Sequence, residues 1–178
     1  MVLCQLFVLA IEAEAHNWAP HGVVADNKWH ELCWNDSGAW PSELAGNIYV
    51  FPYFYSGTGI TLAVYPFCAP LMDVWFNDNL SEADTLGRWD CTVPDLANGI
   101  CIQGTARLNM TYTQESADAW GHNVQDVRYK TWCHELGHSF GADHETFSAQ
   151  SCMIQGGQNL FYLYSSDHVM HMTNDIQP

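Results

Sequence analysis

Three of the chain's nine histidines lie close together, at His134, His138 and His144, with Glu135 beside the first. A spacing of four puts His134 and His138 on one face of a helix. Glu135 projects about 100° further around the axis, given ~3.6 residues per turn, so it stands beside the point where the rings converge without joining them. Gly141 allows a sharp turn that sends His144 back toward the same point. Three neutral imidazoles with one open position form a catalytic zinc site, whereas a structural site is closed. Zinc lowers the pKa of its water to about 7 and polarises a carbonyl. A carboxylate at Glu135 stands within reach of such a water and could exchange a proton with it.

Those residues need a helix to hold them. Asn123 is an N-cap candidate with Asp126 three residues on. Val124, Val127, Thr131, His134 and His138 share a stripe, and Gly141 is the stop. Ahead of it, strands are expected over residues 28–34, 47–55, 71–76 and 86–93. Pro52 makes the second an edge or a break. Residues 77–84 read as a polar loop, and Pro94, Asp95, Asn98 and Gly99 as a turn. Residues 105–113 alternate, with Ala106, Leu108, Met110 and Tyr112 on one side, and are expected as a further strand. No helix is assigned before residue 71.

The chain has 178 residues, 48% hydrophobic, with eight each of Trp, Tyr and Phe, enough for one well-filled core. Twenty acids against five bases give a formal charge of −15. Such a surface repels phosphates and excludes nucleic acid and anionic membranes as partners. It suits cationic peptides, or simply keeps an aromatic-rich protein soluble. Val2 to Ile11 is apolar but too short to span a bilayer, and Ala13-Glu14-Ala15 is an A-x-A cleavage pattern. Residues 1–15 are expected as a secretory signal, with a buried first strand as the other reading.

Cys4 falls in that segment. The other six cysteines, Cys33, Cys68, Cys91, Cys101, Cys133 and Cys152, allow fifteen pairings and point to an oxidising compartment. Local sequence suggests Cys91 with Cys101 across a turn and Cys133 with Cys152 around the histidines, leaving Cys33 with Cys68. No C-x-x-C occurs, which disfavours a cysteine-based zinc site. N-x-[ST] sequons begin at Asn35, Asn79 and Asn109. His168 and His171 are three apart with no evident third ligand, and read as core or surface side chains.

His134, Glu135, His138, Gly141 and His144 complete H-E-x-x-H-x-x-G-x-x-H, and Met153 follows in Ser151-Cys152-Met153. With Cys133 just before the motif, the chain resembles the metzincin zinc endopeptidases, and among them the small secreted matrixin-like type, over residues 71–176. The resemblance implies an α+β fold: a twisted mixed sheet packed on a long zinc-binding helix, with an upper subdomain over 16–141 and a small lower one over 142–178. It implies zinc on the three histidines, Glu135 as base and Met153 as a floor beneath the metal. The strand holding Leu86, Gly87, Arg88, Trp89 and Asp90 would pair with an extended protein or peptide substrate. Leu160, Tyr162 and Tyr164 would shape a side-chain pocket. A secreted monomer with no membrane insertion after processing follows. Structural calcium is not assignable, with Asp73, Asp78 and Asp84 as candidates and a solvated surface the plainer reading for them. Ile154-Gln155 after Met153 leaves no tyrosine ligand of the astacin kind. A second reading stays open: a metzincin-shaped binding or inhibitory module that keeps zinc but hydrolyses poorly. The intact Glu135 favours the enzyme.

Overall fold

Short apolar runs between turn residues build a sheet, and the longer periodic stretch builds the helix that packs on it. The computed structural model describes residues 24–35, 57–145, 150–174 and 176. The expected secretory segment and the strand at 47–55 lie outside these residues. The described strands are β1 (Val24–Ala25), β2 (Trp29–Trp34), β3 (Thr61–Tyr65), β4 (Val74–Asn77), β5 (Gly87–Asp95) and β6 (Ile100–Leu108). The described helices are α1 (Met110–Trp120), α2 (Val124–Ser139) and α3 (Ser166–Asn174). The fold is mixed α+β.

β3, β2, β4 and β6 run parallel in that order, and β1 pairs in parallel with the start of β6. β5 is antiparallel to β6 and pairs with no other described strand. Among the described residues, its other edge carries no strand. Leu32, Val74, Phe76, Ala106 and Leu108 from the sheet share a core with Trp132 and Leu136 of α2 and with its C-cap, Phe140. Phe76 and Trp132 meet edge to face with centroids 4.7 Å apart, a favoured aromatic geometry.

The sequence placed a strand over 105–113, but it ends at Leu108 and α1 begins at Met110. Asn109 decides this. Its side-chain oxygen accepts from the Tyr112 N–H at 2.9 Å and caps the helix. Thr113, Ser116 and Ala117 then form the buried face, at helical spacing. Asn109 is itself buried and also donates to the Glu82 carbonyl, so this sequon asparagine is committed to packing. β1 and β3 were not expected. They are short, and β3 is only half-buried, so neither carries a clear period.

α2 starts where Asn123 caps the Gln125 N–H at 2.8 Å. It is buried on every side from Lys130 to Ser139, not along a single stripe, because the sheet covers one face and the C-terminal segment another. It ends in a Schellman motif: Ala142 N–H donates to the Gly137 carbonyl and Gly141 N–H to that of His138. Gly141 sits at φ 85°, the left-handed conformation this turn requires.

The six cysteines pair as local sequence suggested: Cys33–Cys68, Cys91–Cys101 and Cys133–Cys152. Three disulfides fit an oxidising compartment. Among the described residues no helix is long and apolar enough to cross a membrane.

Candidate metal centre

The two α2 histidines are each fixed from behind. His134 Nδ1 lies 2.9 Å from the Cys152 carbonyl oxygen, and His138 Nδ1 lies 2.8 Å from that of Ala142. A carbonyl only accepts, so each ring carries its proton on Nδ1 and leaves Nε2 as a bare lone pair. The Schellman turn then brings in His144. The three Nε2 atoms form a triangle with every side 3.1 Å. Lone pairs so close repel one another unless a cation lies among them. A regular tetrahedral zinc with Zn–N of about 2.0–2.1 Å spaces its nitrogens about 3.3–3.4 Å apart, within a few tenths of an ångström of this triangle. Burial, reinforced by the nearby positive charge of Lys130, holds His134 well below the ordinary histidine range. Burial likewise lowers His138 to about 4 and lowers His144. All three rings are thus neutral at pH 7, as ligation requires. The donor set fits a metal ion, and imidazoles suit zinc among several transition metals.

Met153 is fully buried against the same helix. A Cβ on Gly137 would stand 2.2 Å from the Met153 sulfur and 2.9 Å from Tyr164 Cε1, so only glycine admits this contact. The Cys133–Cys152 bond ties α2 to the segment bearing Met153. It joins the residue before His134 to the residue whose carbonyl orients His134. Tyr164 donates to the Cys133 carbonyl at 2.8 Å and braces the same joint.

The histidines open into a cleft of about 740 Å³. Its lining includes Asp84, Thr85 and Leu86, Gly87, Arg88 and Trp89 of β5, Gln155 to Gln158, and Glu135. Glu135 lies so close to β5 that a Cβ on Gly87 would meet its Oε1 at 2.6 Å. Burial pushes the Glu135 carboxyl up to about 8, partly offset by the positive charge of Lys130. A cation among the histidines would add to that offset.

The structure brings the three histidines, Glu135 and Leu86 to Trp89 to one cleft, with Met153 buried against Gly137 of α2 and Asp90 paired to Arg107 on β6. Leu160, Tyr162 and Tyr164 are not among the residues lining this cleft; Gln155 to Gln158 are. Tyr164 is a buried brace instead. Among the described residues the histidines form the one group placed to hold a metal. Asp73 is not solvated surface. It is buried, accepts from the Glu31 N–H at 2.6 Å and faces His30 at 3.5 Å. His168 is buried beside Glu145 at 3.3 Å. Sequence reading missed Lys130, and it missed α1, whose Tyr112, Ser116 and Trp120 also line the cleft. A lysine four residues before the first histidine was the available signal. No family model matches the chain, and no curated protein matches it significantly.

Proposed function

We propose that the chain is a secreted zinc-dependent endopeptidase of the metzincin, matrixin-like kind. The observation that carries this reading is the triangle of Nε2 atoms 3.1 Å apart, opening into a cleft that Glu135 also lines. Zinc bound there would supply a Lewis acid for a peptide carbonyl and would acidify a water molecule. The chain's own residues do the rest. His134, His138 and His144 present neutral nitrogens, fixed by the carbonyls of Cys152 and Ala142 in the first two cases. Glu135 takes a proton from the attacking water and returns it to the leaving amide nitrogen. The β5 edge that no described strand pairs with offers main-chain hydrogen bonds to an extended peptide across the cleft. Burial of Glu135 and Met153 keeps bulk water from competing.

The test is digestion of casein or a quenched peptide library by purified protein with and without a chelator. Chelator-sensitive cleavage that is lost in Glu135→Ala, with zinc still bound, is the expected result. One equivalent of zinc with no cleavage of a broad library would overturn it.

A further inference from the structure

Lys130 is the most unusual side chain on the cleft wall. It lies on α2 one turn before His134 and lines the cleft with His134 and Glu135, yet it is among the most completely buried residues of the protein. Its Nζ donates to the Ile154 carbonyl. An ammonium carries three donors, and one carbonyl uses one of them. Among the described residues no carboxylate forms an ion pair with it. Glu135, on the same cleft, is the carboxyl that acts on it electrostatically, without a direct ion pair. A buried ammonium with donors left unused is costly. The chain has only five basic residues against twenty acids, and two of the five, Arg88 and Lys130, line this cleft. Arg88 already holds Glu82 at 2.5 Å. Lys130, with one donor on the Ile154 carbonyl, has donors to offer a ligand.

We propose that Lys130 is a specificity residue, donating a charge-assisted hydrogen bond to the carboxylate of an aspartate or glutamate next to the scissile bond. This rests on the endopeptidase reading and adds the substrate class. Four residues of helix span about 6 Å, so a peptide whose carbonyl sits at the metal centre reaches Lys130 with a neighbouring side chain. The two scales of charge act separately. The net negative surface disfavours strongly acidic polypeptides at long range, and Lys130 selects a single acid at the point of cleavage.

The experiment uses the zinc-loaded full chain. A peptide library first fixes the cut position, and a matched pair of amidated peptides then differs only in Glu or Gln beside the scissile bond. The expected kcat/KM ratio favours Glu by about 10-fold or more, because a polar site rejects a ligand that leaves its buried donor unpaired. Lys130→Met is expected to bring the ratio to within about 2-fold and Lys130→Arg to keep a preference for Glu. Zinc stoichiometry on each variant shows that its site is intact. Equal cleavage of Glu and Gln by the wild type, or a preference that survives Lys130→Met, would overturn the assignment while leaving the endopeptidase standing. A wild type that cuts no library peptide removes both. Faster cleavage of a free-acid peptide than of its amide, with no Glu preference, would assign the carboxylate to a chain terminus and overturn the side-chain proposal.

Discussion

Gly137→Ala should destabilise the protein, against the ordinary rule for helices. In an exposed helix interior this change gains about 1 kcal/mol from helix propensity. Here the new Cβ would stand 2.2 Å from the Met153 sulfur, 2.9 Å from Tyr164 Cε1 and 3.0 Å from Met153 Cε. The sulfur must retreat by roughly 1.2 Å to regain ordinary contact, and Met153 has no exposed surface to retreat into. Overpacking of a filled core costs about 1–3 kcal/mol, with more in tight cases. Two neighbours are struck at once, so the upper part of that range applies. The net loss is about 1–2 kcal/mol, or a fall of roughly 2–8 °C in Tm for a chain of this size. Zinc affinity should fall with it, because Met153 and Tyr164 are joined through Cys152 and Cys133 to the carbonyl that orients His134. The assay is thermal unfolding with and without zinc, with affinity from chelator competition. In a Met153→Ala background only the Tyr164 contact remains, and the cost of Gly137→Ala should shrink. Stabilisation by about 1 kcal/mol in the wild-type background would refute the packing argument.

Other consequences are open to measurement. Replacing Cys133 and Cys152 together by alanine opens a loop spanning 19 residues, which costs about 3 kcal/mol by loop entropy and is read from denaturant midpoints. Zinc at about 100 times its Kd should add about 2.7 kcal/mol of stability, lost on chelation and absent in His138→Ala. The buried His30–Asp73 pair sets a pH response. Burial lowers His30 to about 3, so acidification below the unfolded value of 6.5 protonates the unfolded chain first and removes stability. Burial raises Asp73 to about 7, so the folded state holds that proton above the unfolded value of 3.8, and this contribution is lost as pH rises toward 7. The two slopes oppose each other between about pH 4 and 6.5. Asp73→Asn removes one of them, and its stability relative to wild type should climb with pH across that window in chemical denaturation. A pH-independent difference would show that His30 and Asp73 do not exchange these roles.

The histidine cluster was legible in the sequence because a shared point of convergence dictates residue type and spacing together. His134 and His138 need a helical turn between them, His144 needs a turn at Gly141, and few other arrangements satisfy all three. The disulfides were legible for a related reason, since Cys91 and Cys101 bracket a hairpin turn and Cys133 and Cys152 bracket the ligands. α1 was not, because Met110 to Thr113 alternate as a strand would and only the Asn109 cap tips them into a helix. Lys130 was hidden because a lysine in a helix is ordinarily solvent-facing; only the second cover over α2 buries it. His30 and Asp73 lie 43 residues apart in sequence and meet through the β2–β4 pairing, a long-range contact no local pattern announces.

The central claim is that three imidazole nitrogens share one ion. Equilibrium dialysis against zinc, with metal content measured per chain, tests it most directly. The expected result is one zinc per wild-type chain and none retained at the same free zinc by His134→Ala, His138→Ala or His144→Ala. A wild type that holds no zinc, or single-histidine variants that hold as much as the wild type, would contradict it.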